Sequence, residues 1–479
     1  MKETILVLLL WTFLLGACSQ AVEEKKGNTP VRLIEVAFDL PDIRERGKLI
    51  AIMQYNPTSY FLYRGQPMGF EYELLQKLTK QLQLELEIRI SNDFSEAFRM
   101  LSEGEGDIIA HGLTVTKHRK EKFAFTEHYT TTRQVLVQRK PDQWRQMHPV
   151  KVEKALIRNQ IELIGKEVYV HENSAYYSRL LNLSEEIGGD ILIKTLRGEL
   201  ETSELVRKVA NREIPYTVAD QNIAEINRTF YTNLDTKTPV SFPQRQAWAV
   251  RKSSPQLLDT LNSLIVGLRG KLEFNVTYNK YFKNRRAFSQ RIQSEYFSKS
   301  GSKVSPYDPL LKQYAHQLGW DWRLLASMVY QESRFDPKAN SWAGASGLMQ
   351  LMPETAAHYG VTDLTNPEES IKAGVNYLND LETLWQEVPD SVERVKFVLA
   401  SYNVGPGHIQ DARRLAEKHE NDPNTWTNEV DQWVRQKSKK KYYLDESVKF
   451  GYCRGEEPFR YVKEIFNRYE QYQNLIAKE

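Results

Sequence analysis

Cysteine and net charge are the two things that this chain of 479 residues has least of. Only Cys18 and Cys453 are present, and 65 basic residues nearly cancel 62 acidic ones to leave a formal charge of +3. Such a balance indicates no polyanionic partner, so nucleic acid is not expected to be one. The length favours roughly two to four domains, and a hydrophobic share of 41% supplies material for more than one core.

Long apolar runs are missing after the first twenty residues. Lys2 precedes the run ILVLLLWTFLLGA, which is too short to cross a bilayer and is typical of a signal peptide. The run ends in Leu15-Gly16-Ala17-Cys18, which resembles the lipobox of bacterial lipoproteins. That resemblance implies removal of residues 1–17, acyl chains on Cys18 that anchor the protein to a membrane, and a tether over residues 18–44. The alternative is an ordinary secretory signal with a chance cysteine.

Lipidation of Cys18 would leave Cys453 without a partner in the chain. Neither half is therefore expected to be a disulfide-stapled scaffold. By resemblance to the usual sorting rule, Ser19 after the lipidated cysteine favours the outer membrane, with the protein facing the periplasm.

The rest of the chain changes character near residue 300. Residues 45–295 alternate short β-rich runs with helical patterns, which indicates an α/β sheet of βαβ units. Residues 300–479 show helical periodicity interrupted by Gly, Pro and Asn turns, which indicates an all-α domain. The predicted fold class is therefore a multidomain α/β plus all-α protein.

Three segments of the first half carry a family resemblance: GQPMGFEYELLQKLTKQLQLELEI, LSEGEGDIIAHGLTVTKHRKEKFAFTEHY and IPYTVADQNIA. They resemble bacterial extracellular solute-binding proteins of family 3. The resemblance implies a bilobed, periplasmic-binding-protein-like domain with a ligand in the cleft between its lobes. Residues 133–140 and 245–252 are expected to be the two crossovers, with the second lobe at about 141–244.

The same resemblance implies a ligand site. By position, Arg119 would hold a ligand carboxylate with help from Thr114, and Asp220 would meet an ammonium group. The alternatives are a solvated Arg119 within a basic run and an Asp220 that only caps a helix. Glu71 and Glu73 stand where the family usually has an aspartate, so the ligand stays open between an amino acid, a muropeptide and none.

In the second half, one carboxylate lies on the apolar face of a predicted helix. Leu325, Met328 and Glu332 follow helical spacing in WRLLASMVYQES. Burial of a carboxyl raises its pKa, which suits a general acid working near neutral pH. The alternative is a Glu332 rotated toward water at the helix end.

Small residues and aromatic residues downstream favour a carbohydrate groove. Gly344 and Gly347 allow close approach of backbone to a ligand, and Gln350 offers two donors and an acceptor to sugar hydroxyls. Tyr402 with Asn403, and Tyr461 further on, supply rings and an amide of the kind that lines such grooves; core packing is the alternative for both tyrosines.

These motifs together carry a second resemblance. ES at 332–333, Ser341, GASGLMQLMP from 344 and YNVGPG from 402 resemble the lytic murein transglycosylases with a goose-type lysozyme-like domain. The family implies Glu332 as the catalytic residue, no metal or cofactor, and substrate contacts from the positions that match its motifs: Ser333, Ser341, Gln350, Tyr402, Asn403 and Tyr461. The sequence departs from the family at Val404 and at Pro458.

The resemblance also implies the substrate and the reaction. Peptidoglycan glycan strands would be cut at the β-1,4 bond between N-acetylmuramic acid and N-acetylglucosamine without water, leaving 1,6-anhydromuramic acid. A hydrolytic muramidase on the same fold is one alternative, with Asp336 as its nearest candidate for a second carboxylate. A wall-binding solute receptor without catalysis is another.

Overall fold

The computed structural model describes residues 36–91, 93–172, 174–196, 201–298 and 303–476. Cys18, Ser19 and the expected signal peptide lie outside the described residues. Among the helices in these ranges, none combines the length and the apolar character needed to cross a membrane.

The first half contains thirteen strands within the described ranges. In chain order they are β1 Lys48–Met53, β2 Phe61–Tyr63, β3 Gln66–Met68, β4 Glu85–Ile90, β5 Ile108–Thr114, β6 Phe123–Phe125, β7 Thr130–Thr132, β8 Gln134–Arg139, β9 Glu167–His171, β10 Leu192–Leu196, β11 Tyr216–Asp220, β12 Leu234–Pro239 and β13 Gln244–Arg251. The α-helices among them are α1 Leu40–Arg46, α2 Phe70–Leu82, α3 Phe94–Ser102, α4 Lys117–Lys122, α5 Pro149–Lys154, α6 Ala175–Ile187, α7 Thr202–Ala210, α8 Gln221–Phe230, α9 Pro255–Leu268, α10 Leu272–Tyr278 and α11 Arg285–Gln293.

Two sheets build two lobes. The first has the order β4-β1-β5-β13-β6, with β7 also paired to β13; β1 is parallel to β4 and β5, and β13 runs antiparallel to β5. The second has the order β10-β9-β11-β8-β12. Parallel strands joined through helices are the βαβ arrangement that the alternating pattern predicts.

Both segments predicted as crossovers are extended, but the prediction of their role is wrong. Residues 134–139 form β8, which lies inside the second sheet between β11 and β12, and residues 244–251 form β13 in the first sheet. Most of their side chains are buried on both faces of the sheet, which is typical of central strands. The chain changes lobe in the short stretches before them, and the second lobe starts at about residue 134 rather than 141.

The second half is helical, as predicted, so the fold class of an α/β half followed by an all-α half is confirmed. Its α-helices are α12 Asp308–Leu318, α13 Trp322–Ser333, α14 Pro353–His358, α15 Pro367–Leu384, α16 Ser391–Val404, α17 Pro406–Lys418, α18 Asp431–Gln436, α19 Lys440–Tyr443 and α20 Glu456–Leu475. Helix α13 packs against α12 and α20, and α20 also packs against α16. Nine of the twelve residues of α13 are buried, so this helix runs through the core of the domain.

A hairpin from the first lobe is inserted into the helical half. Leu62, on β2, is fully buried in the same apolar cluster as the residues of α13 and α20. At the hairpin tip Arg64 and Gly65 both have positive φ, as a two-residue turn between right-twisted strands requires. Tyr472 of α20 donates a hydrogen bond of 2.7 Å from its hydroxyl to the Gly65 carbonyl. The α/β half and the helical half therefore share packing.

The contact between the hairpin and the helical half leaves no space for a side chain at Gly65. A Cβ atom there would lie 2.5 Å from a ring carbon of Phe335 and 2.9 Å from one of Tyr330. Gly65→Ala is expected to lower stability by about 1–3 kcal/mol from overpacking, in addition to about 1 kcal/mol for the left-handed backbone. Gly47→Ala is the control, because Gly47 has the same backbone region and open space around it. Thermal melts of the full chain measure both; equal losses would contradict an inserted hairpin.

Candidate active site

Glu332 lies in the last turn of α13. The helix begins at an Asp321 cap, whose side chain accepts a 2.9 Å hydrogen bond from the Arg323 backbone N–H. It ends because Arg334 and Phe335 have left-handed backbones with φ of 52° and 61°. The chain therefore turns directly after the carboxylate, and Glu332 stands at the edge of the core rather than inside it.

One hydrogen bond and burial set the chemistry of Glu332. The Tyr461 hydroxyl, from α20, donates to Oε1 of the carboxyl group. Burial raises the pKa of Glu332 to about 7, and the bond from Tyr461 opposes this rise only in part. The raised pKa agrees with the expectation from helical spacing. Near neutral pH a large share of the carboxyl groups is protonated, so the group can both give and take a proton.

Tyr402 reaches the same place from the end of α16. Its hydroxyl donates a 2.8 Å bond to the Met349 carbonyl, and its ring centroid lies 5.1 Å from that of Tyr377. Burial raises the pKa of both Tyr402 and Tyr461, and the negative charge of Glu332 adds to the rise. The structure thus brings Glu332, Tyr402 and Tyr461 together, although each tyrosine also packs against the apolar core.

The Gly/Ala segment between α13 and α14 is a loop that its own side chains hold together. The backbone of Ser341 makes two hydrogen bonds within the loop. Its hydroxyl accepts a third hydrogen bond, of 2.9 Å, from the Ala345 N–H. Gly347 has φ of 80°, and a Cβ atom there would lie 2.1 Å from the Leu364 carbonyl oxygen. The loop therefore needs glycine at residue 347, and Ser341 stabilises its near end.

The side-chain amide of Gln350 is less available to a sugar than the sequence predicts. Its Nε2 donates to the carbonyls of Ala339 at 3.0 Å and of Gly347 at 2.9 Å, so both amide donors are used inside the loop. The reason is the left-handed backbone at Gln350, φ 50°, which turns the side chain back over the preceding residues. Only the side-chain carbonyl oxygen is left to accept a hydrogen bond from a sugar.

Ser333 and Asn403 occupy different surroundings. Ser333 is buried, and its hydroxyl donates a 3.1 Å bond to the Val329 carbonyl within its own helix. Its donor is therefore not available to a sugar. Asn403 follows Tyr402, and its buried Oδ1 has no hydrogen-bond partner within the described part of the chain. A buried acceptor of this kind is rare in folded proteins and is free for a ligand donor.

Sequence reasoning missed three aromatic residues of the helical half, two beside Tyr402 and one on the loop that follows α13. Tyr377 and Tyr359 interact electrostatically with Tyr402. Trp342 is fully exposed at the tip of the Ser341–Ala345 loop. A tryptophan among small residues was the signal that could have drawn attention to Trp342, whereas the two tyrosines come close only through the packing of helices.

The first half contains a second candidate site, in a cavity between the lobes. Thr114 and Arg119 from the first lobe line it, together with Asp220 from the end of β11 in the second lobe. Arg119 donates a 3.0 Å bond to the Thr114 carbonyl, and its guanidinium lies 5.4 Å from the ring centroids of Phe94 and Phe98. Burial lowers the pKa of Arg119 to about 10, so the group stays charged at neutral pH.

Asp220 precedes helix α8 but makes no capping bond with its side chain. Its Oδ2 accepts a 2.8 Å bond from Gln246, and its Oδ1 has no partner within the described residues. The structure therefore brings Thr114, Arg119 and Asp220 into one cavity, with an unused carboxylate oxygen among them.

Two family models match the chain. The model described as bacterial extracellular solute-binding proteins, family 3, matches residues 48–284, and the model described as the transglycosylase SLT domain matches residues 309–425. Among solved structures, holo ArgBP from T. maritima is 23% identical with a TM-score of 0.40, over 50% of this chain and 97% of that one. The substrate binding protein of an amino acid ABC transporter is 21% identical with a TM-score of 0.41, over 49% and 100%.

Other relatives match this chain across both of its halves. The chain is 35% identical to a membrane-bound lytic murein transglycosylase F from Desulfosudis oleivorans, over 89% of this chain and 90% of the relative. It is 32% identical to a protein of the same name from Aliivibrio fischeri, over 92% and 85%. With this identity over nearly the full length of both chains, the protein belongs to the membrane-bound lytic murein transglycosylase F family.

Proposed function

We propose that this chain is a peptidoglycan lytic transglycosylase in which Glu332 is the single acid and base. The observation that carries the proposal is the half-buried carboxyl of Glu332, with a pKa of about 7 and one hydrogen bond from Tyr461. Burial raises that pKa, and the hydrogen bond from Tyr461 opposes the rise in part. Membership of the family agrees with this reading.

The reaction needs one proton carrier and a nucleophile from the substrate. Protonated Glu332 gives its proton to the glycosidic oxygen as the bond from C1 of N-acetylmuramic acid breaks. The resulting carboxylate then takes the proton of the muramoyl O6 hydroxyl while that oxygen bonds to C1. The products are a 1,6-anhydromuramoyl end and a free hydroxyl on N-acetylglucosamine, and Glu332 is protonated again. An intramolecular attack of this kind can reach an effective molarity of about 10⁵–10⁸ M.

The neighbouring residues divide into sugar contacts and positioning groups. Asn403 Oδ1 and the Gln350 side-chain carbonyl are acceptors available to sugar N–H and O–H donors. Tyr402 supplies a ring beside the carboxylate. The other three residues are positioning groups. Ser333 bonds within the end of its helix, and Ser341 stabilises the loop. Tyr461 donates its hydrogen bond to the carboxyl group of Glu332.

The hydrolytic alternative requires another carboxylate to hold a water molecule. Asp336 is the nearest in sequence, but its Oδ1 accepts a 2.9 Å bond from the Lys338 N–H and its side chain is exposed. That geometry is explained by the turn that Asp336 begins. Asp336 is therefore a useful control rather than a rival to Glu332.

Placement in the cell forms part of the proposal. A lipid on Cys18 would hold the enzyme on the outer membrane, facing the periplasm and within reach of the glycan strands. The lipobox resemblance and the names of the relatives support a membrane-bound protein.

The proposed role of the first half is to bind an amino acid or a muropeptide and to regulate access to Glu332. Thr58 and Ser59 line the interlobe cavity just before the β2–β3 hairpin, and Glu71 lines it just after. The hairpin tip touches Phe335, three residues after Glu332. A ligand that moves the cavity wall would therefore act on the segment that follows the catalytic residue.

The product distinguishes transglycosylation from hydrolysis. Wild-type enzyme is expected to release muropeptides that are lighter by one water than hydrolysed ones, as measured by mass spectrometry of digested sacculi. Glu332→Gln is expected to lower turnover at least about 100-fold, because the general acid and base is lost. Asp336→Asn is the control and keeps the activity. Products with mainly reducing-end muramic acid, or loss of activity in Asp336→Asn alone, would favour the muramidase.

The pH profile tests the role of Tyr461. Since the first step needs protonated Glu332, kcat is expected to fall as the pH rises through about 7. The hydrogen bond from Tyr461 favours the charged carboxylate, so Tyr461→Phe raises the pKa and moves this limb to higher pH. Tyr402→Phe, whose hydroxyl bonds a backbone carbonyl instead, leaves the limb in place. If Tyr461→Phe does not move this limb, the hydrogen bond from Tyr461 does not help to set the pKa of Glu332.

Coupling between ligand binding in the first half and catalysis in the second half can be measured on the full chain. A mixture of amino acids, and separately muropeptides from digested sacculi, is expected to change the rate of glycan cleavage and to raise the melting temperature of the full chain. Arg119→Ala should abolish both effects. If neither ligand preparation changes activity or melting temperature in wild-type enzyme, the regulatory role fails.

A further inference from the structure

The segment that joins α19 to α20 carries apolar side chains on its surface. Residues 444–455 run there as turns and irregular chain, and within them Leu444, Phe450 and Tyr452 are 65%, 55% and 56% exposed. Single exposed apolar residues are ordinary in soluble proteins. The position of each one relative to the candidate active site therefore decides whether it has a function.

Helix α17 holds this segment along its length. Lys418, at the end of the helix, forms an ion pair of 2.9 Å with Asp445. Asp411, two turns earlier, accepts hydrogen bonds of 2.8 Å and 2.9 Å from the backbone N–H groups of Lys449 and Phe450. The segment therefore runs beside α17 from the end of the helix toward its beginning.

A buried ion pair fixes the Asp411 carboxylate that holds Phe450. Lys437 Nζ lies 2.6 Å from Asp411 Oδ2, and both side chains are fully buried. Breaking a buried pair is costly because one charge would remain without a partner. The backbone of Phe450 is therefore held in one place, although its ring lies at the surface.

The Phe450 ring rests against the first turn of α17. A Cβ atom at Gly407 would lie 2.6 Å from ring carbons Cε1 and Cζ, so the ring occupies space that only a glycine leaves free. The ring centroid of His408 lies 6.3 Å from that of Phe450. One side of the ring is thus covered by the helix, and the exposed remainder faces solvent.

Gly407 also places the ring close to the sugar contacts of the candidate active site. It follows Asn403 by four residues, so the two Cα atoms lie at most about 14 Å apart. Asn403 Oδ1 is buried without a hydrogen-bond partner in the described residues. Tyr402, next to it, is within electrostatic reach of Glu332. The exposed ring and the free acceptor therefore lie at the same junction between α16 and α17.

A sugar ring matches this pair of groups. It has an apolar face of C–H groups, which packs on an aromatic ring, and polar groups around its edge, which need hydrogen-bond partners. Leu444 has no ring and precedes the Asp445 ion pair at the other end of α17. Phe450, in contrast, combines an aromatic ring with a place beside Asn403.

We propose that Phe450 is a substrate-binding residue that stacks on a sugar ring of the glycan strand. Asn403 then accepts a hydrogen bond from the same stretch of the strand, and the glycan groove extends from Glu332 to the beginning of α17. The inference rests on the proposed function of Glu332 and adds a contact away from the bond that is cut. Such a contact binds the strand equally before and during the reaction, so it lowers KM without changing kcat.

Binding of peptide-free glycan strands tests this contact. Calorimetric titration uses the full chain with Glu332→Gln, so that the strands are not cut. Adding Phe450→Ala is expected to weaken binding about five- to tenfold, which corresponds to burial of the exposed half of a phenyl ring. Phe450→Tyr keeps the ring and is expected to bind as tightly as the parent. Leu444→Ala, at a similarly exposed apolar position on the same segment, is the matched control and should change nothing.

The same variants in the active enzyme separate a substrate contact from a structural role. Phe450→Ala should raise KM for soluble glycan strands by a similar factor and leave kcat and the melting temperature close to those of wild type, whereas disturbed packing would lower kcat. Phe450→Leu, which keeps an apolar side chain against Gly407, repeats the comparison if Phe450→Ala does not fold.

Three results would contradict the inference in different ways. Unchanged binding in Phe450→Ala shows that the ring does not contact the strand. A loss that appears only with peptide-bearing strands assigns the ring to the attached peptides instead of a sugar. Failure of the Glu332→Gln chain to bind any glycan strand, together with no cleavage by the wild-type enzyme, overturns the proposed function as well.

Discussion

The packing of α13 against α20 is the contact on which the rest of the molecule depends. It places Tyr461 over the carboxyl group of Glu332 and excludes enough water to raise the pKa of that group to about 7. The far end of α20 carries Tyr472 and Leu475, which contact the first lobe. One helix therefore sets the acidity of the catalytic residue and joins the two halves, so a change in its position would affect both.

Burial acts in the same direction on the carboxyl groups of both candidate sites. In the helical half, desolvation makes a lone carboxylate a weaker acid, which suits a group that must hold a proton and then give it up. In the cavity between the lobes, burial raises the pKa of Glu71 and of Asp220 to about 7 as well. Each of these two groups keeps one buried oxygen without a hydrogen-bond partner in the described residues. Burial alone does not identify a function; the hydrogen bonds that remain unmade do.

The sequence predicted those features that depend on local spacing or on short motifs. Helical periodicity placed Glu332 on an apolar face, and the raised pKa agrees with it. It could not show that Gln350 folds back on Ala339, because that depends on a left-handed backbone at Gln350 itself. Nor could it assign residues 134–139 to a sheet, since extended crossovers and buried strands have the same apolar pattern. The contact of Leu62 with the helical core joins segments more than two hundred residues apart, and no local signal reports such pairs.

The inserted hairpin also bears on how this enzyme can be divided. A fragment that begins near residue 300, where composition changes, would contain Glu332, Tyr402 and Tyr461 but would lack Leu62 and Gly65. Phe335, Tyr330 and Tyr472, which close around the hairpin tip, would then face water as an apolar hollow beside the catalytic helix. The catalytic unit of this protein is therefore discontinuous in sequence, and residues 61–68 belong to it as much as the helices do.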